Sequence, residues 1–179
     1  MIVLITGTPG TGKSTVAEIL KNKIGVPLVG VNELVEDKHI YTGIDEDRGY
    51  KIVDLDALCF ELNKVVENSK NGDVLIVEGH LSHYFEGGDL VIVLRAKPNV
   101  LRERLKTKGW TNSKIHENIE AEAIDICTFE SHEIHGDKVN EINTTDLKPE
   151  EVADLIIEII TGKKRFPVGN INFLEDLPI

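Results

Sequence analysis

Gly7 and Gly12 bracket four residues, and Lys13 and Ser14 follow at once. This is the pattern of a phosphate-binding loop. Glycines at 7, 10 and 12 let the backbone curl until successive N–H groups point inward, and a helix starting just beyond adds its positive end. The occupant such a loop suits is an anion. Lys13 would extend along β- and γ-phosphates as a mobile point charge. The Ser14 hydroxyl would hold the Mg²⁺ that bridges those oxygens, and Thr15 would add a hydroxyl beside the α-phosphate. A glycine turn that merely joined two elements would have no need of Lys13-Ser14.

The rest of the chain supplies the frame this loop requires. Ile2 to Ile5 is a β-branched run suited to a strand buried on both faces, and it leads through the loop into a helical stretch, Ser14 to Lys23. Val26 to Val29 predicts a second strand, and Asn32 is placed to cap a helix carrying Leu34, Val35 and Ile40. Tyr41 to Lys51 is polar and glycine-punctuated and reads as a mobile loop. Asp54 to Ser69 has helical spacing and is broken by Asn71-Gly72, after which Val74 to Val77 reads as a central strand. Leu90 to Leu94 is another buried strand. Pro98 opens a helix that Gly109 ends. One long helix is expected from Lys114 to His132, a fifth strand from Val139 to Ile142, and a last helix from Pro149 to Ile160. Apolar runs alternating with amphipathic stretches predict a three-layer α/β fold, a five-stranded parallel sheet with helices on both faces. Glu78 and His80 then fall at a strand's carboxyl end, where open α/β sheets bind ligands.

The 179 residues suit one core, residues 1–161, followed by a tail, 162–179, that would lie along the surface as an extended strap. A formal charge of −11 argues against strong direct nucleic-acid binding, which needs a basic face. The apolar start is too short for a signal or membrane segment, so a cytoplasmic protein is expected. Cys59 and Cys127 lie in helical stretches and read as buried thiols.

The loop alone does not separate GTPases, motors and small kinases. A guanine-reading Asn-Lys-x-Asp is missing, because Asn63-Lys64 runs on into Val65-Val66, and the chain is short for a motor core. Arg102, Arg104, Lys106 and Lys108 cluster in an otherwise acidic chain. Such cations suit a lid that closes over the γ-phosphate, neutralises its charge and shuts out water.

Several segments together resemble the adenylate kinase isoenzyme 6 family, small nuclear and archaeal ATPases associated with ribosome maturation. They are Thr6 to Thr15, the Tyr41-x-Gly-x-Asp-Glu46 segment, Val77-Glu-Gly-His80, Val93-Leu-Arg95 with Asn99-Val-Leu101, and Arg104-Leu-x-x-Lys-Gly109. The resemblance implies a nucleoside monophosphate kinase fold, with a monophosphate site from about residue 30 to 52 and a lid from about 107 to 117. It implies ATP and Mg²⁺ as cofactors, AMP as acceptor, the reaction ATP + AMP = 2 ADP, and a slower ATPase. Glu78 would orient Mg²⁺ or its waters and His80 would position an attacking water. Gly10, Gly12, Lys13, Ser14 and Thr15 would hold the nucleotide with Arg104 and Lys108, and Lys148 would contact the base or ribose.

Two departures bear on this. The family often has Asp where Glu78 stands and Arg where Lys108 stands, and Lys cannot grip two phosphate oxygens at once, so Arg104 becomes the main clamp. The acceptor phosphate needs a cation, for which Lys38, Arg48 and Lys51 are candidates. His83 and Tyr84 carry a weaker signal. Two rival readings stay open: an ATP-switched assembly factor that engages a platform protein of the small ribosomal subunit within the pre-ribosome, and a kinase for another small acceptor.

Overall fold

The computed structural model describes residues 1–46, 48–69 and 73–177. Five parallel strands form the central sheet: β1 (Ile2–Thr6), β2 (Leu28–Gly30), β5 (Leu75–Glu78), β6 (Leu90–Arg95) and β7 (Val139–Asn143), in the order β2-β5-β1-β6-β7. The β-branched runs lie here because both faces of the sheet are covered, so every residue of β1 is buried. On one face, Val3, Ile5, Ile92 and Leu94 pack against α1 (Lys13–Ile24) and α7 (Pro149–Ile160). On the other, Leu4, Val77, Val91 and Val93 pack with α2 (Val31–Lys38) and α3 (Leu55–Asn68). The expected five-stranded, three-layer α/β architecture is what the chain adopts.

A satellite core of Leu101, Leu105, Ile115 and Ile119 joins α4 (Pro98–Thr107) to α5 (Asn112–Ala123) beside the sheet's carboxyl edge. No helix among the described residues is long and apolar enough to cross a membrane.

Three local expectations are corrected. Asn32 does not cap α2, since the helix starts at Val31 directly from the strand residue Gly30, which places Asn32 in the first turn. The segment read as a mobile loop is an antiparallel hairpin of β3 (Tyr41–Asp45) and β4 (Tyr50–Val53). Its turn is closed by Gly49 N donating to Asp45 O at 2.7 Å, with Gly49 at φ 69°. Half-burial on one side was enough to order it, although Thr, Gly and Asp blur the alternation. The long helix from Lys114 to His132 is two, α5 and α6 (Ile126–His135), because Asp125 turns left-handed at φ 60°. Asp54 caps α3 through its side chain, while the break assigned to Asn71-Gly72 lies outside the described residues.

Candidate active site

The phosphate loop fills residues 7–12 between the end of β1 at Thr6 and the start of α1 at Lys13. Gly7 sits at φ 133°, and a Cβ there would lie 2.3 Å from the Leu94 carbonyl oxygen, so no other residue fits. Gly12, left-handed at φ 103°, turns the chain into α1 and aims the helix N-terminus at the loop's concavity.

Lys13 is buried, and its Nζ donates to Gly7 O at 2.8 Å and Thr8 O at 3.1 Å. Burial lowers its pKa from 10.5 to about 8, with Glu78 among the groups that pull the other way. Entering phosphates favour the ammonium form, so binding raises this pKa and takes up protons wherever the free lysine is neutral. Magnesium tripolyphosphate binding near pH 9 is therefore expected to absorb up to about one proton, and little at pH 7. Calorimetry in buffers of different ionisation enthalpy measures it, and Lys13→Met should remove the uptake.

Ser14 Oγ donates to Glu78 Oε1 at 3.0 Å, which brings the end of β5 against the start of α1. Glu78 is buried, and its Oε2 has no hydrogen-bond partner among the described residues. Burial raises the pKa of this carboxyl, against the Ser14 hydrogen bond and Lys13, which lower it. A buried carboxylate oxygen left over beside a serine hydroxyl fits a hard divalent cation. Magnesium keeps most of its shell for water and substrate phosphates, so one or two protein oxygens suffice. Among the described residues no group of three or more His, Cys, Asp or Glu side chains is placed to hold a metal ion. Ser14 and Glu78 are the residues that would hold Mg²⁺.

The His80 ring lines the same cleft, and burial first, then Lys13, lowers its pKa to about 4. It is a neutral imidazole near pH 7 and can direct a water by hydrogen bonding without adding charge. His83 borders the cleft too but is buried and held by the fold, with Nδ1 2.8 Å from Thr6 Oγ1 and Nε2 3.1 Å from Glu130.

Arg104 projects from α4 across the loop: Nη1 donates to Gly10 O at 3.5 Å and Nη2 to Thr144 O at 3.3 Å. Lys108, one turn on, is exposed at the cleft's rim. Lys106 pairs with Glu103 on the solvent side. Thr144, Leu147 and Pro149 line the cleft from the segment after β7, but Lys148 between them is exposed and does not.

The cleft, about 1230 Å³, thus gathers Gly10, Gly12, Lys13, Ser14, Thr15, Glu78, His80, Arg104 and Lys108, leaving Lys148 outside. Of the three cations considered for an acceptor phosphate, Lys51 lines it, paired with Glu36 and 4.5 Å above the Tyr41 ring. Lys38 borders a separate hollow, and Arg48 pairs with Glu117 at 3.4 Å. Sequence reasoning missed Lys114, which also lines the cleft and lies 4.1 Å from the Trp110 ring and 4.3 Å from the Tyr50 ring. The chain's one tryptophan, directly after Gly109, was the available signal.

Comparison with known proteins gives the chain a family. A family model described as an AAA domain matches residues 3–125. A protein of Methanothermobacter thermautotrophicus named "Putative adenylate kinase" is 43% identical over 172 residues, 96% of each chain. A protein of the same name from Archaeoglobus fulgidus is 42% identical over 99% of this chain and 94% of its own. The chain belongs to this archaeal adenylate kinase-like family. The resemblance drawn from its motifs is thereby borne out. Its framework extends to solved shikimate kinases: that of Acinetobacter baumannii, in complex with shikimate, superposes with a TM-score of 0.64 at 16% identity, covering 91% of this chain and 94% of its own. The Aquifex aeolicus enzyme gives 0.57 at 19%, covering 90% and 97%. Identities this low establish the shared fold alone.

Proposed function

We propose that the chain is an adenylate kinase that transfers the γ-phosphoryl group of ATP reversibly to AMP, with a slower ATPase. The relatives' shared name and the kinase framework support nucleotide phosphotransfer. The observation that carries the reading is convergence in one cleft: loop amides, the Lys13 ammonium, the Ser14–Glu78 pair and the Arg104 guanidinium lie on one side, and the β3–β4 hairpin with Lys51 forms the other.

Phosphoryl transfer leaves a protein mostly positioning and charge neutralisation to do. The loop amides and Lys13 hold the donor phosphates. Ser14 and Glu78 would hold Mg²⁺, which would supply charge neutralisation at the donor phosphates. Arg104 reaches over Gly10 to the transferred group, and residues 107–117 act as the lid with Lys108 and Lys114 on it. Residues 30–52 form the monophosphate site, with Lys51 as the acceptor's cation. His80, neutral, orients water in the ATPase reaction. Such chemistry draws on cytoplasmic ATP.

ADP formation measured with Mg-ATP alone, with AMP, and with a panel of other nucleotide and small hydroxyl acceptors tests the assignment. AMP is expected to raise ADP output well above the ATPase level. Preference for another acceptor, or no response to any, would overturn it.

A second reading, an ATP-switched partner of a small-subunit ribosomal platform protein, is supported by α6. Its Ile126 and Cys127 line the cleft while Phe129 on the same helix is 65% exposed, so an apolar outer surface adjoins the nucleotide. ATP-dependent affinity for such a protein, with no stimulation by AMP, would favour that reading over metabolic turnover.

A further inference from the structure

Thr8 is the pivot of the phosphate loop. Its carbonyl accepts from Lys13 Nζ at 3.1 Å and from Thr11 Oγ1 at 2.9 Å, so the place of Thr8 bears on where the Lys13 ammonium rests. Its hydroxyl donates away from the cleft, to Glu122 Oε2 at 2.5 Å. Glu122 is 1% exposed, and its other oxygen accepts from Arg95 Nε at 2.8 Å and Ala96 N at 2.9 Å. Arg95 is as deeply buried, with Nη2 on the Glu122 carbonyl at 2.8 Å and Nη1 on Glu141.

The tail closes this network from behind. Gly169 N donates to Glu141 Oε2 at 3.2 Å, and Phe173, 3% exposed, lies 5.4 Å from the Arg95 guanidinium. Phe166 continues the attachment, exchanging hydrogen bonds with Glu141 N and Asn140 Oδ1, each at 2.8 Å. A run of contacts therefore joins the tail to the loop that grips phosphate, through Glu141, Arg95 and Glu122.

A buried carboxylate holds its place only if its hydrogen bonds are satisfied and its charge is paired. Arg95 pairs the charge of Glu122 and shares its hydrogen bonding with Ala96 N, and the tail packs against Arg95 beside Asp125, Thr128 and Glu141. A loop rich in glycine has many backbone conformations to lose on meeting its ligand, and a side-chain anchor removes some of that cost beforehand. Thr8 is the loop residue whose side chain makes this anchor.

We infer that Glu122 is a positioning residue of the phosphate site: its carboxylate pins Thr8, and the C-terminal tail, through Arg95, holds Glu122 in register. None of these side chains needs to touch the substrate. The inference deepens the kinase reading above and rests on it.

Mg-ATP affinity by calorimetry, with no acceptor present, separates the two. Thr8→Val keeps the shape and deletes the donor, and is expected to weaken Mg-ATP binding about tenfold, the scale of one hydrogen bond to a charged group. Thr8→Ser should restore near-wild-type affinity. Glu122→Gln keeps one oxygen for Arg95 and Ala96 and turns its amide toward the Thr8 hydroxyl, so combined with Thr8→Val, which removes that hydroxyl, it should cost no more affinity than the worse single change. Phe173→Ala, remote from the loop, should weaken binding about threefold while ATP turnover at saturation changes less. Equal affinity of the wild type and Thr8→Val proteins, or additive losses in the double variant, would overturn the inference and leave the kinase reading standing. Failure of the wild type to bind Mg-ATP would overturn both. If Glu122→Gln does not fold, the Thr8 pair and Phe173→Ala still decide.

Discussion

Lys13→Ala is expected to abolish phosphotransfer and ATPase turnover together, by at least about a thousandfold, because its ammonium is the charge inside the loop that follows the donor phosphates into the transition state. Lys13 is also buried on the loop carbonyls of Gly7 and Thr8. Removing it relieves a desolvated cation as well as losing contacts, so the variant should remain folded and Tm should not fall sharply. Turnover measured with and without acceptor is the check. Rates near wild type in a folded variant would remove the proposed site, whatever the acceptor.

Arg104→Ala should separate binding from chemistry. The guanidinium spans Gly10 O and Thr144 O at 3.5 and 3.3 Å, long contacts that a stronger anionic partner can replace. Its value then lies in charge that develops during transfer, and kcat is expected to drop about a hundredfold with only a few-fold change in Mg-ATP affinity. Arg104→Lys should recover a minor part, since an ammonium keeps the charge without the fork. A large loss of affinity with kcat preserved would assign Arg104 to ground-state binding instead.

The legible part of this protein was the part whose chemistry is contiguous. Gly7 to Ser14 declares its ligand within one turn, and β-branched runs declare strands because both faces of a parallel sheet are apolar. Glu78 could be placed because the strand before it ends there. The hairpin from Tyr41 to Val53 was hidden by its composition: Ile44 and Ile52 are exposed at 59% and 51%, so no buried stripe marks it. The break at Asp125 was hidden because Ile115, Ile119 and Ala123 keep helical spacing up to it. Its left-handed backbone is offset by the pairing of its carboxylate with Arg95, a residue 30 positions away.

Glu122 was illegible for the same reason in stronger form. Its hydroxyl donor lies 114 positions earlier in the chain. No local pattern marks a carboxylate whose partners are assembled only when a helix, the phosphate loop and a strand meet. Which candidate cation faces the cleft was likewise a matter of where the hairpin folds: Lys51 lines it, while Arg48 pairs with Glu117.

That last pairing has its own meaning for the working cycle. Arg48 on Glu117, with Lys114 against Tyr50, fastens the hairpin to α5 across the mouth of the cleft. The first is solvent-facing and the second half-buried, and each is worth about 1 kcal/mol. A clasp this slight can part and re-form, and dissolved salt loosens it, so product release from this cleft is expected to quicken as ionic strength rises.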